Sequence, residues 1–409
     1  MTARIPPGGP GGTTWRAEQC DAVLRFAAMS ALPGGGFGWL DATGDVDPSR
    51  DLELWINARM TYVFSLASVL EDQVHPLAEH GVCSMQELFA DQRHGGWYRS
   101  VRSDGSPVET TKGCYEHAFV VLAGSVAQVA GVPGADRLLA QALDIHADRF
   151  WDDEAGRCCE SWNADWTELE PYRGVNSNMH AVEAYLFAAD ATGDPIWRRR
   201  ALSICERVIN GIARSNDWRI PEHFDADWQV LLDYNADRPA DPFRPYGATP
   251  GHGFEWARLL LDLEASLDDP PEWMIEASAA LFTTAARDGA PDSDGTLVYT
   301  TDWSGRPVVR ERFHWVLAEA VTAADALARR TGEAVGADES DLWWKAIDQH
   351  FVDRATGSWH HELGEDLRVS GRTWSGEPDA YHIVNAMLLP DLPLAPTAAT
   401  ALVAAKHAG

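Results

Sequence analysis

Arg244-Pro-Tyr-Gly-Ala-Thr-Pro-Gly-His252-Gly-Phe-Glu255-Trp-Ala-Arg-Leu-Leu-Leu261 is a proline- and glycine-rich loop that runs into an apolar helix. Residues three apart share a helix face, so His252 and Glu255 read as a titratable pair at a helix start. An imidazole changes charge near neutral pH and a neighbouring carboxylate tunes it, which makes the pair a candidate acid–base device. The same arrangement recurs near the other end of the chain. In Trp374-Ser-Gly-Glu-Pro-Asp379-Ala-Tyr-His382, Asp379 and His382 again stand three apart where a loop meets a helix.

Working outward, helix-period segments fill the chain. Residues 52–72 place Trp55, Arg59, Tyr62 and Leu66 on one stripe, 114–130 form an apolar run too long for a strand, and 175–191 align Met179, Val182, Leu186 and Ala189. Further helical runs cover 197–214, 252–267, 271–287, 311–330, 340–351 and 378–389, several ending in Gly or Pro signals. Strand-like pieces are few and short, such as Thr296 to Thr301, and no β-α alternation calls for a parallel sheet. At least ten helices with Gly/Pro/Trp-rich connections predict helical hairpins packed side by side in a toroid. The stretch from Gly211 to Gly251 has little periodicity, and long irregular loops in compact domains are usually functional. One domain over residues 1–409 is expected, with loose ends at about 1–14 and, in the Ala-rich tail, about 395–409.

Composition narrows the function. The 409 residues carry a formal net charge of −29, which disfavours nucleic acid, whose phosphates need clustered Lys and Arg, and anionic membrane surfaces. No run of about 18 apolar residues predicts a spanning helix, and the first residues lack the pattern of a secretory signal; a cytoplasmic protein is expected. Six cysteines without C-x-x-C spacing suggest neither a zinc framework nor a disulfide scaffold. The 18 tryptophans fit a large core or sugar stacking. There is no nucleophile elbow and no phosphate loop.

Other constellations stay open at this level. Asn176, His180 and Glu183 share a helix stripe that reads as a solvated face or as a polar lining. Arg59 in an apolar stripe beside Trp55 needs a partner or an anion. It reads as a structural ion pair or as a clamp on a substrate oxygen. Trp315 and Glu319 stand one turn apart. Glu222-His-Phe-Asp-Ala-Asp-Trp228 is dense in ligating side chains but lacks a second histidine at metal-ligand spacing, so no metal is expected there.

Read together, these segments resemble the N-acylglucosamine 2-epimerase superfamily, in its mannose isomerase and sulfoquinovose isomerase branch. The resemblance is carried in order by Trp55-Ile-Asn-Ala-Arg59-Met-Thr-Tyr62, Lys112-Gly-Cys-Tyr115-Glu-His117, Asn176-Ser-Asn-Met-His180-x-x-Glu183, Glu222-His-Phe-Asp-x-Asp-Trp228, Pro250-Gly-His252-x-x-Glu255, His314-Trp315-Val-Leu-Ala-Glu319 and Pro378-Asp379-x-Tyr-His382. It implies an all-α (α/α)6 barrel with its site in the funnel at one end, and cofactor-independent interconversion of aldoses and ketoses. It also implies an acid–base pair at His252 and His382, with Glu255 as their catalytic companion. Arg59, Trp55, Asn176, His180, Tyr115, Trp315, Glu319 and Asp379 fall on the substrate-binding side of the site. Where sulfoquinovose isomerases carry glutamines, this chain has Glu377-Pro-Asp379, and carboxylates would repel a sulfonate. A neutral sugar such as mannose is therefore expected, with lyxose as a further substrate.

The chemistry suits two histidines. Ring opening, removal of the proton at C2 and its return at C1 pass through a cis-enediolate. A base of near-neutral pKa both accepts and returns the proton. On this reading His382 moves the proton, His252 assists ring opening, Glu255 orients His252 and Arg59 steadies the enediolate oxygen. The competing readings are a mannose/glucose 2-epimerase, a sulfoquinovose isomerase, a glycoside hydrolase using a carboxylate pair such as Asp227 and Glu319, and a non-catalytic sugar-binding protein. A monosaccharide is the expected partner, and a small homo-oligomer is carried as an expectation.

Overall fold

The computed structural model describes residues 6–408 except 72, 74, 293, 334 and 335; residues 1–5 of the expected loose N-terminus lie outside the described residues. Thirteen α-helices appear among the described residues, in chain order α1 (Thr13–Ala27), α2 (Leu54–Glu71), α3 (Pro76–Ser84), α4 (Cys114–Val129), α5 (Ala135–Ile145), α6 (Val175–Thr192), α7 (Ile196–Cys205), α8 (Pro250–Ser266), α9 (Trp273–Gly289), α10 (His314–Thr331), α11 (Ala337–Ala346), α12 (Tyr381–Leu388) and α13 (Ala398–Ala408). The even-numbered helices form an inner ring, α2 against α4, α4 against α6, and so on to α12, which returns to α2. Each inner helix is backed by an outer one, and α1 backs α12, so the two ends of the chain close the ring. This is the expected (α/α)6 barrel.

Sequence explains which helices go inside. In α2 every residue from Leu54 to Val69 is buried, and α4 is buried almost throughout; a helix apolar on all sides has nowhere else to go. By contrast α5 buries Ala135, Leu138, Leu139, Ala142 and Leu143, the single stripe of a helix with one wet face. Close packing of the layers needs small residues. A Cβ on Gly124 of α4 would stand 3.2 Å from the Cα of Leu139 on α5.

Outer helices α3, α5 and α11 widen at their C-terminal ends into π-turns closing on the fully buried Phe89, Phe150 and Phe351. After each comes one hairpin pattern: Phe89-x-Asp91-x-x-x-Gly95-x-Trp97, Phe150-x-Asp152-x-x-x-Gly156-x-Cys158 and Phe351-x-Asp353-x-x-x-Gly357-x-Trp359. The aspartate side chain accepts from backbone N–H groups two or three residues on. Its carbonyl accepts the glycine N–H, and the glycines sit at φ of 77°, 64° and 82°, a region open to glycine without Cβ cost. After the first two hairpins the chain forms a short strand that leads directly into the next inner helix, Lys112–Gly113 into α4 and Tyr172–Gly174 into α6, and Arg312–Phe313 leads likewise into α10. All these strands sit at one end of the barrel and hold the inner-helix N-termini in place.

Four helices, α1, α3, α5 and α13, fall outside the segments expected from sequence. The Ala-rich tail corrects the expectation of a loose end. It forms α13, which packs on α2 and α4 with Ala399 fully buried, and Thr397 just before it is held by Asp190 through both its N–H and its hydroxyl, each at 2.7 Å. Alanine is the best helix former and lets the helix lie close against the barrel. Of Thr296 to Thr301 only Thr300–Thr301 is a strand, paired with Pro307–Val309.

Candidate active site

The first two turns of the six inner helices converge on one funnel. They carry Trp55 and Arg59 on α2, Tyr115 on α4, Asn176 and His180 on α6, His252 and Glu255 on α8, Trp315 on α10 and His382 on α12, all lining a cavity of about 720 Å³ including its open mouth. Six helix N-termini aim their partial positive charge into it, which favours anionic groups there.

Two histidines face the cavity, but their carboxylate partners are not those three residues away. His252 Nδ1 meets Glu222 Oε1 at 2.6 Å, and His382 Nδ1 meets Glu319 Oε1 at 2.8 Å. This corrects the expectation that Glu255 orients His252 and that Asp379 pairs with His382. Each ring points into the funnel and its Nδ1 turns back to the wall supplied by the adjacent part of the barrel. Glu222 is fixed there because its carbonyl accepts the N–H of Val175 at the start of α6. Asp379 instead binds Arg59 at 3.2 Å and caps the N–H of Tyr381 at 2.9 Å. With Nδ1 occupied, the Nε2 of each ring is left for substrate, and a carboxylate on Nδ1 raises the basicity of the opposite nitrogen. The indole of Trp315 lies between the rings, its centroid 5.4 Å from that of His252 and 5.5 Å from that of His382.

His180 forms a third such dyad, Nδ1 to Glu183 at 3.3 Å, and Glu183 also accepts from the Tyr381 hydroxyl. Asn176, His180 and Glu183 are thus an inner lining and not a solvated face. Arg59 is buried, donates to Tyr115 at 3.0 Å and lies 5.1 Å over the Trp55 ring and 4.4 Å over Phe119. Among the described residues its Nε has no hydrogen-bond partner. Below it Arg258 clamps Glu319 with two donors, at 3.2 and 3.3 Å, and reaches Asp262 at 3.2 Å.

Burial sets the charge states. It pulls His382 below the ordinary histidine value against the opposing pull of Glu319, and it pulls His180 and His314 down to about 4. These rings are neutral bases at pH 7. Glu319 is held below the usual carboxylate range because Arg258 and His382 together outweigh its burial. Neutral buried histidines also predict acid lability. His117 and His146, pushed by burial to about 3, join His180 and His314. Between pH 6.5 and about 4 the unfolded chain binds protons that the folded one refuses, so stability must fall as pH falls through that window. The slope is about 1.4 kcal/mol per pH unit for each histidine. Urea midpoints between pH 7.5 and 5 test this; a pH-independent midpoint contradicts it.

Several cavity residues carried no separate sequence signal as site residues: His314, His361, Tyr299, Trp374 and Phe243; Glu222 stood out only as part of a stretch rich in ligating side chains, not as the partner of His252. Phe243 comes from the long irregular stretch between Gly211 and Gly251. It closes an aromatic rim with Trp55 at 6.3 Å and Trp374 at 5.0 Å. Asp227 is exposed and outside the cavity, while Glu319 is committed to His382 and Arg258, so the carboxylate pair required for a hydrolase is not assembled from them. Glu377 is also turned away. It accepts the N–H of His361 and burial pushes it well above the usual carboxylate range, leaving Asp379 as the acidic member of that segment on the cavity wall. Outside the cavity, Cys114, His146 and Cys158 bring two thiols and an imidazole within 4.8 Å. Each is already engaged, Cys114 with His146 and both Cys158 and His146 with the Tyr185 hydroxyl, so this is a hydrogen-bonded core cluster.

Fold and site together define an (α/α)6 barrel whose funnel holds two carboxylate-anchored histidines. The model of the family described as N-acylglucosamine 2-epimerase (GlcNAc 2-epimerase) matches residues 35–386, and the chain belongs to that family. It is 47% identical to a D-mannose isomerase of Thermobifida fusca, covering 95% of this chain and 96% of that one. It is 44% identical to a D-mannose isomerase of Pseudomonas cannabina pv. alisalensis, covering 96% of each. A crystal structure of a D-mannose isomerase superposes with a TM-score of 0.87 at 28% identity, over 93% of this chain and 98% of that one. Among the described residues no helix is long and apolar enough to cross a membrane.

Proposed function

We propose that the protein interconverts D-mannose and D-fructose by proton transfer through a cis-enediolate. The observation that carries this is the pair of histidines facing one cavity, each anchored through Nδ1 on a buried carboxylate of another element. The near full-length likeness to D-mannose isomerases supports the choice of sugar. His252, oriented by Glu222, moves protons at the ring and carbonyl oxygens as the pyranose opens. His382 takes the proton from C2 through Nε2, and the imidazolium formed is stabilised by Glu319. The C2–H pair becomes the C1–C2 double bond and the former carbonyl oxygen becomes the enediolate oxygen. That oxygen is held by Arg59 and by the helix N-termini, donors in place before charge develops. Return of the C2 proton from His382 to C1, with transfer of the O2 proton to O1 through His252, gives the ketose. C1 is reduced as C2 is oxidised within one molecule, so the reaction draws on no external electron carrier. Trp55 and Trp315 offer ring faces to the sugar, and Asn176 and His180 take hydroxyls.

Incubation of D-mannose with the enzyme in D2O, followed by NMR, tests the assignment. Fructose is expected. Glucose without fructose would make the protein an epimerase, and an unchanged spectrum from both mannose and fructose would overturn the reading. A second expectation concerns His382 alone: because burial disfavours its cation, its ring followed by NMR titrates below pH 6.5. A titration above 6.5 would mean that Glu319 dominates and the resting residue is an acid.

A further inference from the structure

Three carboxyl groups, Glu183, Glu255 and Glu319, stand together beneath the cavity with two guanidinium groups, and their donors are unequally shared. Glu319 receives His382 Nδ1 and two N–H groups of Arg258. Glu183 receives His180 Nδ1 and the Tyr381 hydroxyl. Arg258 spends its remaining reach on Asp262, and Arg59 is taken by Asp379 and Tyr115. Glu255 is left over. It is 1% exposed, it lines the cavity, and its Oε1 has no hydrogen-bond partner among the described residues. His180 Nδ1 is 3.8 Å from that oxygen but already committed to Glu183.

A buried carboxylate without donors is costly, and a proton removes the cost. We infer that Glu255 is a carboxylic acid in the resting enzyme and that it donates its hydrogen bond to an oxygen of the bound sugar. The groups that face it are Glu183 and His180 from α6, Glu319 from α10, Arg258 from its own helix, Arg59 from α2, Tyr115 from α4 and Tyr381 from α12. Burial, and then repulsion by Glu319 and Glu183, outweigh the two arginines and push its pKa well above the usual range. The role differs from that of a partner to His252. An anion here would oppose the enediolate, whereas a neutral acid adds a donor to the site, a use of a site-protonated carboxyl with precedent in enolising enzymes. It also complements its neighbours, since His180 Nε2 and Asn176 Oδ1 can both accept.

The inference rests on the enediolate reading only for what the proton meets; the charge state stands apart from it. Neutron diffraction of the wild-type enzyme at neutral pD is expected to show deuterium on a Glu255 carboxyl oxygen, whatever the substrate proves to be; a bare carboxylate would overturn the inference. On the isomerised sugar, Glu255→Gln keeps a donor and is expected to lower kcat/KM about tenfold, while Glu255→Ala lowers it about 100- to 1,000-fold, the usual loss for one donor to a developing oxyanion. A fall in kcat/KM on the alkaline side, from ionisation of Glu255, is expected in the wild type and is expected to be absent in Glu255→Gln. A folded Glu255→Gln variant as impaired as Glu255→Ala would show that the carboxylate itself is required and would overturn the proposal.

Discussion

Replacing His382 with alanine is expected to lower kcat on D-mannose by about 100- to 10,000-fold, the usual contribution of a positioned general base, with KM changed far less. The reason is geometric. Nδ1 is fixed on Glu319 at 2.8 Å, so the ring has one free nitrogen, and Trp315 limits its swing. Of the other cavity histidines, His252 lies across the Trp315 indole, His180 is turned onto Glu183, and His314 and His361 pack edge to face on each other at 4.9 Å. Exchange of the C2 hydrogen with D2O is expected to vanish with turnover. A His382→Ala enzyme that keeps near wild-type kcat would remove that residue from the proton-transfer step, and the same outcome for His252→Ala would remove it from ring opening.

The largest expected loss of stability comes from Arg258→Leu. Arg258 is buried, holds Glu319 with two donors and Asp262 with a third, and its charge is also felt by Glu183 and Glu255. Removing one member of a buried ion pair leaves the other uncompensated, at about 3–5 kcal/mol. Urea unfolding should show this as a lowered midpoint with an unchanged slope. The double variant Arg258→Leu/Glu319→Leu should recover part of the stability, since an apolar pair costs less than a lone charge, yet stay inactive because His382 has lost its partner. Arg258→Leu within 1 kcal/mol of wild type would contradict the arrangement.

The helical ring was open to reading because the inner helices bury nearly every side chain and therefore write long apolar runs, as in residues 54–69. Helix α13 was not, because an alanine-rich tail looks the same whether it frays or docks; Ala399 is buried only because α2 and α4 offer a surface for it. The Phe-x-Asp-x-x-x-Gly hairpins are a repeat visible in the letters, though three copies at uneven spacing are hard to recognise before the structure superimposes their roles.

Sequence by itself determined the helix periods, the acidic balance, and the residue types at the helix starts: His252, His382, Arg59, Asn176 and His180 are all at the cavity. Tertiary structure alone decided who pairs with whom. Spacing along one helix suggested His252 with Glu255 and Asp379 with His382. In the barrel, however, side chains at the mouth point inward and find partners across the ring, so Glu222 and Glu319 hold the histidines while Asp379 serves Arg59. Among the described residues Glu255 Oε1 is left without a donor in a crowd of carboxylates. A hydrogen bond depends on distance in space, and in a closed ring of helices the neighbours that set charge and direction come from elements 30 to more than 300 residues apart.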